Sequence, residues 1–340
     1  MVIGATGQIG RVAVGTLARD GWEVTAVSRG GGRDEDWPGD VRVVRADRED
    51  DTALVAAVGD GCEVLVDVVA YDRSHARQLT ALAGRVGSAV VVSSVSVYED
   101  GKGRGFDTQE EPDGFPEYPV PITVDQRTVE PGDGTYSTRK AGLERELLAA
   151  GDALPTTLLR AGAVHGPYCQ TPRELYFVKR NLDGRTRRVL AHGGRSRFHP
   201  AGVHNIAELI RLAAAKPGSR VLNAVDPDVP TVAEIARAID RVMGVDPLPE
   251  DVLVEGAPPV PTVGDTPWSV PLPVIGDMSA AERELGYRAV TRYADRLAET
   301  VASIERRLAG RDWREAYPKM VRSYGEGLFD YAAEDAWLDA

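Results

Sequence analysis

The chain has 340 residues, 43% hydrophobic and 27% charged, with a net charge of -12, so it should form about two lobes of ~150 residues with ample material for a core. Its longest uncharged apolar runs, such as residues 64–66 and 89–92, fall far short of the ~20 residues that cross a bilayer, which argues against a membrane protein. The acidic balance argues against a nucleic-acid partner, because neutralising phosphates takes a basic face.

Over the first 160 residues, short β-branched runs alternate with segments of helical period, the pattern of βαβ units in a parallel sheet. Strands are predicted at 2–3, 23–27, 41–45, 64–69, 89–93 and 156–160, and helices at 9–20, 52–58, 73–86 and 136–150. The fold class is therefore α/β, a doubly wound parallel sheet of the Rossmann type. After Gly162 the rhythm is irregular: a helix at 172–182, a basic loop at 185–188, a helix at 203–215, a strand at 220–224 and a helix at 231–243. The proline-rich stretch 256–273 reads as a rigid extended connection. Residues 1–160 would form a dinucleotide-binding domain, with 200–226 returning to it. Segments 161–199 and 227–312 would form a smaller α/β substrate lobe. Residues 313–340 are an aromatic tail carrying Trp313, Tyr317, Tyr324, Phe329, Tyr331 and Trp337, which packs on its own protein, on a partner subunit, or over the active site as a lid.

Gly4-Ala5-Thr6-Gly7-Gln8-Ile9-Gly10 lies between the first strand and first helix. Glycines at that spacing allow a tight turn, a close approach of backbone to a pyrophosphate, and close helix–strand packing, while the helix N-terminus offers N–H groups and partial positive charge. Gly4, Thr6, Gly7, Gln8, Ile9 and Gly10 are thus candidate dinucleotide contacts. The second strand ends Ser28-Arg29, where an acidic residue suits NAD and an arginine suits the 2'-phosphate of NADP. Arg29, with Arg33, points to NADP, with NAD as the alternative; otherwise Arg29 is a solvated surface charge. Asp47, after the third strand, either accepts from the adenine amino group or caps the next helix. Ala70, past the fourth strand, is a further cofactor candidate.

Tyr136 and Lys140 open a predicted helix four residues apart, on one face. A phenol titrates near ~10 and needs a neighbouring cation to exchange protons at neutral pH, which Lys140 can supply. Residues 90–94 end a strand in Ser93 and Ser94, at the carboxyl edge where open α/β sheets bind ligands.

With these residues the chain resembles the extended short-chain dehydrogenase/reductases, also called the NAD-dependent epimerase/dehydratase family. The resemblance rests on the glycine loop, Ser94-x-x-x-Tyr98, Tyr136/Lys140, and His165-Gly166-Pro167 in place of the family's Tyr-Gly-Pro. The stretches 223–226, 277–279 and 284–287 also fit, so it spans residues 1 to about 305. It implies that Tyr136 is the general acid/base, that Lys140 lowers its pKa and binds the nicotinamide ribose, and that Ser94 orients the substrate oxygen. Hydride would pass between nicotinamide and a carbinol carbon. Ser96 would face the substrate, and His165 either contacts it or is structural. Lys179, Arg180, Arg195 and Arg197 are candidates for gripping a nucleotide-sugar diphosphate, each otherwise a solvated cation. Relatives commonly dimerise through two helices, here 73–86 and 136–150, so a homodimer is expected.

Departures from the family pattern narrow the reaction. Sugar dehydratases carry Thr-Asp-Glu where this chain has Ser94-Val95-Ser96, which leaves no acid pair for eliminating water. Arg29 favours a reductase, which releases its cofactor, over an epimerase that retains NAD. Residues 100–133 form an insertion rich in Gly, Pro and acids at the expected substrate mouth. Cys62 and Cys169 are too few and too distant for a disulfide framework, and five histidines lack metal-like spacing, so no metal is expected. No secretory signal opens the chain, and a reducing cytoplasm fits. Only three residues precede Gly4 where relatives have five or six, so a clipped first strand or a late start site is expected.

Overall fold

Seven β-branched runs pair side by side in the computed structural model, which describes residues 1–340. In chain order the first half contains β1 (Val2–Ile3), α1 (Gln8–Arg19), β2 (Thr25–Ser28), β3 (Arg42–Arg45), α2 (Asp51–Val58), β4 (Cys62–Asp67), α3 (Arg73–Thr80), β5 (Val86–Ser94), α4 (Tyr136–Ala149) and β6 (Thr156–Ala161). Then follow β7 (Ala163–His165), α5 (Leu175–Leu182), β8 (Arg187–Leu190), β9 (Pro200–Gly202), α6 (Val203–Ala215), β10 (Arg220–Ala224), α7 (Val232–Val242) and β11 (Glu250–Leu253). The last helices are α8 (Ser279–Leu285), α9 (Leu297–Leu308), α10 (Trp313–Ala316), α11 (Pro318–Tyr324) and α12 (Tyr331–Leu338).

The chain divides into two compact units, the first comprising Met1–Gly162, Val203–Val225 and Gly276–Val290. Its sheet runs β10-β6-β5-β4-β1-β2-β3, all parallel, with helices in the crossovers between its parallel strands except from β2 to β3, which a helix-free loop joins. Ile3, Val27, Leu65, Val91 and Leu158 of the strands pack with Leu54, Leu79, Leu143 and Leu147 of the helices in one core. β1 is two residues long, and the Met1 ammonium donates to Val64 O at 2.8 Å.

Helix α3 ends at Thr80 instead of the expected 86, because Gly84 turns the chain at a φ of +84° and Val86 already pairs with Cys62. Residues 276–290 were assigned to the substrate lobe from sequence but belong to the first unit. There the Asp277 amide donates to Ile122 O, and the Asn223 amide group donates to Asp277 O at 3.0 Å.

The second unit comprises Ala163–Gly202, Asp226–Ile275 and Thr291–Ala340. Two small parallel ladders, β8 with β11 and β7 with β9, accompany a helical core of Tyr176, Phe177, Ile235, Trp268, Tyr293 and Leu297. Trp313, Tyr317 and Met320 belong to that same core, so the aromatic tail is packed on its own chain and is not a separate segment. Helix α12 places Glu334, 0% exposed, against Arg180 at 2.6 Å and Arg185 at 3.2 Å. The expected basic loop at 185–188 is also corrected: Arg187 and Arg188 lie in β8, and Arg188 is buried between Asp240 (2.7 Å) and Asp251 (2.6 Å). The stretch 256–273 contains no helix or strand, and no helix of the chain is long and apolar enough to cross a membrane.

Candidate active site

The glycine loop leads from β1 into α1 with no side chain capping the helix N-terminus, which leaves its first turn to offer amides to an anion. Gly4 has φ +81°, and a Cβ there would lie 2.6 Å from Val69 Cγ1. A Cβ on Gly10 would lie 2.8 Å from Ala5 Cα and closer still to Gly4 O. Helix and loop therefore touch backbone to backbone, and the cradle stays open only with glycine at these positions. Thr6 O accepts from Arg11 Nε at 2.9 Å, while the Gln8 and Ile9 side chains are half-buried. Such a cradle fits a dinucleotide pyrophosphate.

At the end of β2, Ser28 is buried and its Oγ accepts from the Gly31 amide at 3.2 Å, while Arg29 is exposed. Arg33 is committed elsewhere, donating to Val41 O at 2.8 Å and to Pro38 O. Of the four carboxylates in this loop, Asp34 is ion-paired to Arg11, while Glu35, Asp36 and Asp40 are exposed. Asp47 is exposed and accepts from the Glu49 amide at 3.1 Å; the cap of α2 is Asp50, which accepts from the Thr52 and Ala53 amides, so Asp47 is not the helix cap.

Tyr136 is the first residue of α4. Thr135 caps the helix with its hydroxyl and forms a capping box with Thr138. Tyr136 keeps 44% of its surface open, and its ring lies 5.6 Å from that of Tyr71. Lys140 is 5% exposed; its Nζ donates to Ala70 O at 2.6 Å and Val92 O at 2.9 Å, and lies 5.9 Å from the centre of the Tyr136 ring. Helix α4, strand β5 and the turn after β4 thus bring Ser94, Tyr136, Lys140 and Ala70 together.

Burial pushes the Lys140 ammonium down to about 8, with Asp67 and Glu144 opposing. Burial also pushes the Tyr136 phenol up, with Tyr71 adding and Ser94 opposing. This is the reverse of the expected lowering by Lys140, whose hydrogen bonds go to two backbone carbonyls while desolvation governs the phenol. Ser96 follows in the turn that Ser94 Oγ caps, accepting from the Ser96 amide at 3.1 Å. Ser96 Oγ is buried without a hydrogen-bond partner, an exception to the usual pairing of buried polar groups.

Sequence reasoning passed over the charges beneath this site. Glu144, one turn beyond Lys140, accepts from Ser93 Oγ at 2.5 Å and pairs with Arg160 at 2.7 Å. The Arg160 guanidinium stacks 4.8 Å from the centre of the Tyr98 ring, and the Tyr98 hydroxyl donates to Asn223. Arg48 and the fully buried Asp67 form a second pair at 2.9 Å. Tyr71 was missed too, although it follows Ala70 at the same carboxyl edge of the sheet that singled out Ser94.

In the second unit, His165 is 2% exposed, its Nε2 lies 2.6 Å from Asp226 Oδ2, and its ring lies 4.7 Å from that of Tyr293. Burial alone would lower it, but hydrogen bonding and charge from Asp226 raise it, and its Nε2 is taken up within its own unit. Lys179 is engaged by Asp183 at 2.5 Å and the face of Phe329, Arg180 by Glu334, and Arg195 by Glu255 at 3.0 Å. These three are ion-paired, whereas Arg197 is exposed.

Residues 4–118 match the model of an NAD(P)H-binding family. No curated protein matches the chain by sequence. Among solved structures, the Bordetella bronchiseptica enzyme WbmH in complex with NAD+ is similar at a TM-score of 0.67 and 18% identity, over 89% of this chain and 97% of that one. UDP-N-acetylglucosamine 4-epimerase from Methanobrevibacter ruminantium, solved with UDP-N-acetylmuramic acid, matches at 0.67 and 16%, over 90% and 98%. UDP-glucose 4-epimerase from Thermotoga maritima, solved with UDP-glucose, matches at 0.67 and 18%, over 90% and 98%. Residues 4–118 thus resemble an NAD(P)H-binding domain, and the chain shares the fold of these NAD+-bound and UDP-sugar-bound structures.

Proposed function

We propose that the protein is an NADP-dependent reductase acting on a ketone of a sugar-like or other small polar substrate, with Tyr136 as proton donor. The observation that carries this reading is the buried Lys140, whose ammonium lies 5.9 Å from the centre of the Tyr136 ring beside the strand that ends in Ser94. A reduced nicotinamide dinucleotide, its pyrophosphate in the glycine cradle, would supply the hydride to the carbonyl carbon. The chain's part is to hold the substrate oxygen between the Ser94 and Tyr136 hydroxyls and to pass the phenol proton to it as negative charge develops. Lys140 would hold the nicotinamide ribose. Ser96 would donate to a second substrate oxygen, and Arg197 would meet an anionic group such as a diphosphate.

Arg29, exposed at the end of β2, favours the 2'-phosphate of NADP over a bare ribose diol. Gly4, Thr6, Gly7, Gln8, Ile9 and Gly10 would line the pyrophosphate, and Ser28, Asp47 and Ala70 the rest of the cofactor. Two free cysteines, Cys62 and Cys169, are in keeping with a cytoplasmic site of action, and helices α3 and α4 are the surfaces on which a homodimer would form.

A second reading, a nucleotide-sugar epimerase with tightly held NAD, is favoured by the UDP-sugar 4-epimerases among the structures of similar fold. Cofactor released from denatured protein separates the two: stoichiometric NAD supports the epimerase, and NADP or no cofactor supports the reductase. In either case Tyr136→Phe should abolish turnover while leaving cofactor affinity nearly intact; an active variant would refute the assignment of Tyr136. A non-catalytic dinucleotide sensor that binds nucleic acid is the remaining reading, and tight binding in a low-salt gel shift would restore it.

A further inference from the structure

The insertion at 100–133 has no part in the chemistry above, yet one of its residues grips both neighbours of Tyr136. Asp107 Oδ2 accepts from the Thr135 hydroxyl at 2.6 Å, and Asp107 Oδ1 accepts from the Ser137 hydroxyl at 2.8 Å. Ser137 is 1% exposed and Thr135 is the helix cap, so a single carboxylate spans the first turn of α4 from both sides of its first residue. Helix ends are where local opening is easiest, and here the approach is Pro131-Gly132-Asp133-Gly134, a lead-in with little stiffness of its own. Beyond the Thr135–Thr138 capping box and the ring contact of Tyr136 with Tyr71, the turn is tied from the Gly132 amide to Thr138 O at 3.0 Å and from Arg139 Nε to Asp133 O at 2.7 Å, both involving the same glycine-rich lead-in.

Asp107 is itself held by a small folded unit. It lies in the turn Phe106–Thr108, where the Thr108 hydroxyl donates to Gly114 O at 2.7 Å and Phe106 meets Phe115 edge to face at 6.2 Å. Nearby, Asp100 is 1% exposed, and Arg104 donates to it at 2.7 Å. A carboxylate fixed in this way at a helix N-terminus is also favoured by the helix dipole.

We propose that Asp107 is a positioning residue for Tyr136, and that the insertion serves to anchor the first turn of α4 against fraying. The proposal takes its significance from the reading of Tyr136 as the acid/base, but its test needs no substrate. Amide hydrogen exchange of the full chain is compared for wild type, Asp107→Ala and Asp107→Asn. Loss of two hydroxyl contacts should speed exchange over residues 135–139 by about tenfold in Asp107→Ala, with the sheet and the C-terminal half of α4 unchanged and NADPH affinity unaltered. Asp107→Asn keeps a carbonyl for Ser137 and an amide for Thr135, so it should restore most of the protection. Unchanged exchange at 135–139, faster exchange spread over the whole unit, or no rescue by asparagine would each overturn the proposal. An active Tyr136→Phe variant would refute the acid/base reading and leave this outcome decided on its own.

Discussion

Lys140 offers a direct measure of what it costs to hold a charge beside the Tyr136 phenol. Burial lowers it from 10.5 to about 8, and at ~1.4 kcal/mol per pH unit that gap is worth about 3 kcal/mol. Below pH 8 the folded and unfolded chains both carry the proton, and the cost of the buried ammonium is felt in full. Between about 8 and 10.5 the folded chain has released the proton while the unfolded chain retains it, so unfolding takes up a proton and stability rises with pH. From pH 8 to pH 9.5 this single group should add about 1.5 kcal/mol. In Lys140→Met that rise disappears. The substitution removes the charge cost but strands the carbonyls of Ala70 and Val92 at about 1–3 kcal/mol each, so stability near neutral pH changes little while the slope flattens. Urea unfolding of both proteins at pH 7, 8, 9 and 9.5 gives the difference directly, and taking the difference cancels groups common to both, including Cys62, whose thiol burial pushes up. Parallel pH profiles for the two proteins would refute the account of Lys140 as a desolvated cation.

Gly10→Ala would push a methyl group into the backbone of Gly4 and Ala5; α1 must move, and NADPH affinity should fall at least about tenfold by fluorescence titration, the equivalent of one lost charge-assisted hydrogen bond. Retained affinity would mean that the loop is not the phosphate cradle. Arg29→Asp should weaken NADPH and strengthen NADH, by about tenfold or more in their ratio; an unchanged ratio would remove Arg29 from the 2'-phosphate. Glu334→Ala leaves Arg180 buried with no carboxylate and Val189 N without its acceptor, at a cost of about 3–5 kcal/mol in denaturant unfolding. A loss under about 1 kcal/mol would show that the tail is not part of the second unit's core.

How much of this was readable in the sequence follows from how local each constraint is. The glycine loop was legible because the turn at Gly4 and the close approach at Gly10 are demands on single residues. Tyr136 and Lys140 were legible because a helix converts a spacing of four into a shared face. The end of α3 was not, since helical period runs on through 81–86 and only pairing with Cys62 turns Val86 into strand. Pairing over distance was invisible in the same way. Arg188 looked like part of a solvated loop until Asp240 and Asp251, 52 and 63 residues away, met it in the core. Lys179 and Arg180 looked like anion grips, yet their charges are met by Asp183 on the next turn and by Glu334, 154 residues on. The Glu144–Arg160 pair escaped notice because its chemistry matches no motif of spacing, although it ties α4 to β6 and, through Ser93, to β5.

The division of the chain has a consequence for how it is made. Each unit takes three separate segments, so the polypeptide passes from one to the other five times between Met1 and Ala340. A ribosome that has released the first 162 residues has therefore not yet supplied α6, which packs on α1, nor β10, the edge strand beside β6. Arg180 emerges 154 residues ahead of Glu334, and until then its guanidinium has no carboxylate to bury against. Synthesis thus holds both units open until late, the first until residue 290 and the second until α12, and the time spent in that state is when chaperones and proteases meet this protein.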